Sequence, residues 1–83
     1  GAPLPLVISP NPGAGQFTLS MPEEKPWQMT VVNSLGQSLY RKQVQGKEIQ
    51  LLLNEEPDGI YLCRMISSDG KKIYQGRIVK SGR

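Results

Sequence analysis

The side chain best suited to covalent chemistry in this sequence is Cys63, its one thiol. A thiol becomes a nucleophile when a base, a cation or a helix N-terminus holds it as thiolate. The chain contains no histidine, and the neighbouring cation, Arg64, points to the opposite face if the segment alternates as a strand. Packing as a small hydrophobe accounts for Cys63 better than catalysis. Glu23-Glu24 and Glu55-Glu56 with Asp58 offer carboxylates for acid–base work or for calcium. They lie beside prolines and lack the alternating ligand spacing of a calcium loop, so they read as solvated loop charge. Without histidine, zinc loses its commonest ligand and proton transfer near neutral pH its commonest carrier. Gly13-Ala14-Gly15 has the glycines of a phosphate cradle, but no helix follows to hold an anion. Single-stranded nucleic acid would need exposed rings among basic residues. Phe17, Trp27, Tyr40, Tyr61 and Tyr74 instead fall mostly on alternating apolar faces, as core rings do. No catalytic, cofactor or metal site emerges and no nucleic-acid partner is expected: the chain reads as a non-enzymatic domain.

Composition bounds what could position such groups. Eighty-three residues bury about 63% of their unfolded surface, enough for one thin core. A lone cysteine makes no intrachain disulfide, so packing alone must hold the fold. No apolar run approaches the roughly 20 residues of a membrane-spanning helix, and no basic-then-apolar leader opens the chain. Net charge is +3, unevenly placed: residues 1–63 carry −2 and residues 64–83 carry +5. A basic C-terminal end suits an anionic partner, and it also suits an edge strand charged against aggregation.

Apolar residues recur with period 2 almost throughout. Leu4, Leu6 and Ile8 alternate before the Pro- and Gly-rich segment 9–15, and Phe17, Leu19 and Met21 before a proline-bounded loop, 21–26. Trp27, Met29 and Val31 lead to Asn33-Ser34-Leu35-Gly36-Gln37, which suits a type I turn with Gly36 left-handed in a bulge. Residues 38–44 return, 45–47 turn, and Ile49, Leu51 and Leu53 alternate, although 48–56 also matches a short helix. Residues 60–66 are apolar on both faces except Arg64 and predict a mid-sheet strand. Asp69-Gly70 suits the centre of a primed hairpin turn into the last strand, 72–80. About seven short strands with one core predict an all-β fold, a small immunoglobulin-like antiparallel β-sandwich. A five-stranded oligonucleotide-binding barrel is the alternative architecture.

The order of the turn motifs goes further. Pro10-Asn11-Pro12 with Gly15 precedes Gln16-Phe17-Thr18-Leu19; Val31-Val32-Asn33-Ser34-Leu35-Gly36-Gln37 follows. Leu53 and Asp58-Gly59-Ile60-Tyr61-Leu62 then precede Arg64, and Ile78-Val79-Lys80 closes the series. This succession resembles the type A C-terminal sorting domain of the Bacteroidota type IX (Por) secretion system, from about Val7 to Lys80. Asn33-Ser34 stands where the family usually has an acidic residue, and Ser81-Gly82-Arg83 follow the lysine at which the family commonly stops.

The resemblance implies a secretion signal. A parent cargo lies N-terminal to it, the type IX translocon recognises it in the periplasm, and the cargo crosses the outer membrane to the cell surface or beyond. A sortase-type cysteine peptidase usually removes the domain and joins the new C-terminus to anionic lipopolysaccharide. Residues 1–6 are then linker or cloning remnant, 7–80 the sorting sandwich and 81–83 a tail. Gly36, Gly59, Tyr61, Val79 and Lys80 become recognition or fold-critical candidates, with Lys72 and Arg77 added for sharing the basic end. Removal of residues 78–83 is expected to stop export and leave folding nearly intact. A retained domain of the surface-attachment apparatus and a carbohydrate-binding accessory sandwich are the alternatives, the latter requiring exposed Trp27 and Tyr40. A homodimer through open edge strands is compatible with either.

Overall fold

The computed structural model describes residues 2–82; Gly1 and Arg83, the outer ends of the expected linker and tail, lie outside them. Every regular element among the described residues is a strand: β1 (Leu4–Pro5), β2 (Val7–Ser9), β3 (Gln16–Val32), β4 (Ser38–Leu52), β5 (Gly59–Ser67) and β6 (Ile73–Lys80). The order across the sheet is β1-β6-β5-β3-β2, with β4 also on β3.

The strand count departs from seven for a physical reason. β3 and β4 pair antiparallel twice, residues 16–20 against 48–52 and 25–32 against 38–46. Between these ladders four residues of β3, 21–24, stand against Lys47 alone. The surplus forms a bulge that bends the ribbon. One half of it then lies with β2 in a three-strand layer, the other with β5, β6 and β1 in a five-strand layer. The segments 21–26 and 45–47, expected as loops between separate strands, are the corner of one continuous hairpin.

Side chains fill the space between the layers with the predicted alternation. Phe17, Leu19, Met21, Ile49 and Leu51 come from one layer; Trp27, Met29, Val31, Cys63, Met65 and Ile78 come from the other. All belong to one buried cluster. The result is an all-β, immunoglobulin-like sandwich in which β1 alone pairs in parallel, with β6. β5 lies between β3 and β6, as its double-faced apolarity predicts. Residues 48–52 are strand and not helix, because Ile49, Leu51 and Leu53 alternate inward.

Both hairpin tips are type I turns closed by a left-handed glycine. At the first, Gly36 (φ 81°) donates its N–H to the Asn33 carbonyl at 2.9 Å. At the second, Gly70 (φ 75°) donates to the Ser67 carbonyl at 2.8 Å. The primed turn centred on Asp69-Gly70 is corrected, since among the described residues no non-glycine residue has positive φ and a primed turn would require it at Asp69. Asp69 instead accepts from the Ser67 hydroxyl and the Lys71 N–H, which holds its carboxyl below the usual range.

Candidate functional site

The quoted motifs meet at one end of the sandwich, where β5 starts and β6 ends. Asp58-Gly59-Ile60-Tyr61 delivers a buried ring at Tyr61, whose hydroxyl donates to the Pro57 carbonyl. Burial, with Glu56 and Asp58 nearby, pushes the Tyr61 phenol up, so it stays a donor. Gly59 opposite Lys80 makes the last rung between β5 and β6. The Lys80 side chain is 9% exposed and turns back over the loop. Its Nζ donates to the Glu56 carbonyl at 2.7 Å and to Asp58 Oδ1 at 3.3 Å. The other Asp58 oxygen accepts the Gly82 N–H at 2.8 Å. That bond, together with Lys80, holds the Asp58 carboxyl below its usual range. Loop, strand end and tail are thus one polar clamp.

The turn at 33–36 borders the same end, and a depression of about 160 Å³ separates it from the loop 56–61. Asn33 Oδ1 accepts the N–H groups of Leu35 and Gln37, each at 3.0 Å. Only a side-chain oxygen at that reach is needed to cap the turn, and the asparagine amide supplies it without a charge.

A second clamp holds the outer edge of β6. Leu6 donates to the Gln75 carbonyl at 3.0 Å, continuing the β1 pairing. Asn11 then imitates a strand: its Nδ2 donates to the Arg77 carbonyl at 2.7 Å, and its Oδ1 accepts the Val79 N–H at 2.9 Å. Gly13 donates to the Val79 carbonyl and accepts from the Ser81 N–H. Gly76 is what permits this approach, since a Cβ there would lie 2.8 Å from Ile8 Cδ1 and 3.1 Å from the Leu6 carbonyl oxygen. The segment 4–6, expected as linker, contributes β1 and the buried Leu6.

The structure brings together Gly59, Tyr61, Val79 and Lys80, with Gly36 on the adjacent turn. It does not bring Lys72 to them: Lys72 sits at the opposite end, beside the 67–70 turn, 3.7 Å from the Glu23 carboxylate. Arg77 is exposed midway along β6. The basic end is therefore not one surface. Removing residues 78–83 would take out the fully buried Ile78, the whole first clamp and the Val79 and Ser81 bonds of the second, so that expectation of intact folding is corrected. Asn11, Glu56 and Gly76 were missed as fold-critical residues, and only the prolines flanking Asn11 hinted at an ordered role.

Chemistry is scarce. Cys63 is fully buried, and burial pushes its thiol up to about 12. Among the described residues no three metal-ligating side chains cluster. Trp27 is fully buried, its ring meeting Tyr74 edge-on at 5.6 Å, and Tyr40 is half-buried. The exposed pair of rings that a carbohydrate platform needs is not formed.

Residues 7–81 match a family model described as a secretion system C-terminal sorting domain. No curated protein matches the chain. Because that match spans the very turns and strand ends that the two clamps tie together, the chain belongs to the C-terminal sorting domains of the type IX secretion system.

Proposed function

We propose that this domain is the non-catalytic address of a larger protein, read in the periplasm by the type IX machinery, which carries the N-terminal cargo across the outer membrane. The observation that carries the reading is the family match over residues 7–81. The structure supports it by supplying a compact unit whose loop 56–58, last strand and tail are tied together by Lys80 and Asp58. In this reading Gly36, Gly59, Tyr61, Val79 and Lys80 act by holding the shape that is recognised. A sortase-type cysteine peptidase then removes the domain, and the new C-terminus is joined to anionic lipopolysaccharide at the cell surface. The cut lies N-terminal to Leu4, because a peptidase needs extended, unpaired backbone and β1 is already bonded to β6.

The test fuses the 83 residues to the C-terminus of an inert periplasmic reporter in Bacteroidota strains with and without a working translocon. Translocon-dependent surface delivery is expected, together with loss of about 9.2 kDa of polypeptide on cleavage, the mass being read after the attached lipopolysaccharide is chemically removed. Delivery at unchanged mass would overturn the cleavage step and favour a retained domain. A reporter that stays periplasmic in both strains would overturn the sorting role.

A further inference from the structure

The outer face of the five-strand layer is charged in a way the fold does not require. Its outward positions follow from the register: Arg41, Thr30, Arg64 and Gln75 form one row across the strands, and Val32, Leu62 and Arg77 form the next. Arg41, Arg64 and Arg77 are all exposed. In this layer the outward residues of β3 (25–32), β4 (38–46), β5 and β6 include no aspartate or glutamate, and among the described residues none of the three arginines is within ion-pair distance of a carboxylate. Arg64 and Arg77 are diagonal neighbours, about 7–8 Å apart at Cα. Arg41 and Arg64 flank Thr30 on either side, about 10 Å apart.

Between them the face is apolar and hollow. A depression of about 400 Å³ has Val32, Leu62 and Ile66 among its lining, with Arg41 and Arg64 beside them. Ile60, 48% exposed, extends the apolar track along β5. Gln75 Oε1 accepts from Arg64 Nε at 3.1 Å and from Nη2 at 2.9 Å. That fixes the guanidinium while leaving three of its five N–H donors free.

We propose that this face is a docking surface for an acidic segment of a protein partner, with an apolar side chain seated over Val32, Leu62 and Ile66 and flanking carboxylates on Arg41, Arg64 and Arg77. Three guanidiniums without counter-charges are matched by carboxylates, which they bind bidentately. The apolar floor argues for a peptide over a lipid headgroup. Val32, Leu62 and Ile66 are half-buried between Arg41 and Arg64, whereas a membrane-inserting surface presents fully exposed apolar residues. As the part of the signal that the machinery reads, the surface rests on the sorting proposal, but its binding can be tested apart from it.

The probe is a capped heptapeptide alternating glutamate and leucine, with a glutamine-for-glutamate counterpart, titrated into the 83-residue chain and followed by amide chemical shifts. Shifts are expected at Thr30, Val32, Leu62 and Ile66, weakening with salt. Affinity should fall at least tenfold for the glutamine peptide and for the triple variant Arg41→Gln, Arg64→Gln, Arg77→Gln, whose melting temperature is recorded as a folding control. Equal binding of both peptides, shifts confined to Lys71 and Lys72, or binding only to phosphatidylglycerol vesicles would overturn the assignment. In the reporter strain, export lost by a folded triple variant supports the role in sorting. Unchanged export overturns that role. Failure of the unsubstituted fusion to export would count against the sorting proposal alone.

Discussion

Lys80 at the last rung of β6 offers a quantitative test of whether this lysine is a structural part. Replacing it with methionine keeps the aliphatic length and removes the ammonium that bridges the Glu56 carbonyl and Asp58. A hydrogen bond from a charged group contributes about 1.5–3 kcal/mol. The Asp58 contact adds little, because that carboxylate is 58% exposed and solvent screens it. The expected loss is therefore about 2 kcal/mol, which for a domain of this size lowers the melting temperature by roughly 8–16 °C. A domain of this length has about 4–12 kcal/mol of stability, so the variant still folds and can be compared. The single, fully buried Trp27 reports unfolding by fluorescence in urea or on heating. Arg77→Met on the exposed face is the control, expected within about 0.5 kcal/mol of the parent. A Lys80→Met domain no less stable than Arg77→Met would refute the clamp and return Lys80 to the candidates for direct recognition.

Further outcomes follow from the same geometry. Gly76→Ala should cost about 1–3 kcal/mol by overpacking, since the new Cβ meets Leu6 and Ile8; an unchanged urea midpoint would show that the segment 4–8 is not held there. Asn11→Ala removes both bonds to β6 and should cost about 1–3 kcal/mol, read as faster amide exchange at Val79. Asp58 and Asp69 have carboxyls lowered in the folded state. The stability they add is present above the unfolded carboxyl value and is lost as pH falls through the folded one. Asp58→Asn and Asp69→Asn should therefore flatten the loss of stability below about pH 4, and an unaltered acid limb in both would contradict this. Cys63, buried and with its thiol pushed up, should react with a maleimide only as fast as the domain unfolds; rapid labelling of the native chain would contradict its place in the core.

The period-2 spacing made both layers readable, because each inward residue sits on a strand with one buried face. Phe17 and Leu19, Met29 and Val31, and Cys63 and Met65 all fall where alternation puts them. Continuity through the corner was not readable. Pro22, Pro26 and Gly46 are the residues that also end strands, and only the long-range pairing of 25–26 with 45–46 shows that the ribbon bends without breaking. Nor does local pattern reveal contacts between distant residues. Asn11 looks like a turn asparagine until β6 lies beside it, and Lys80 looks like a solvated strand-end lysine until the Glu56 carbonyl and Asp58 arrive beneath it. The basic C-terminal end divides in space into a hairpin tip, a clamp and an outer face. That face takes its third arginine, Arg41, from a strand that linear charge counting never joins to it.

On this account the motifs of the family build a shape, and the shape is the address. The most direct measurement compares the reporter fused to the native domain with one fused to Met29→Asp, which keeps every quoted motif and places a carboxylate in the core, where Met29 is fully buried. Surface-exposed reporter is quantified against total full-length reporter, with and without the translocon. The account predicts translocon-dependent surface delivery of the native fusion and periplasmic retention of the substituted one. Equal delivery of both would show that a linear motif, and not the folded sandwich, is what the machinery reads.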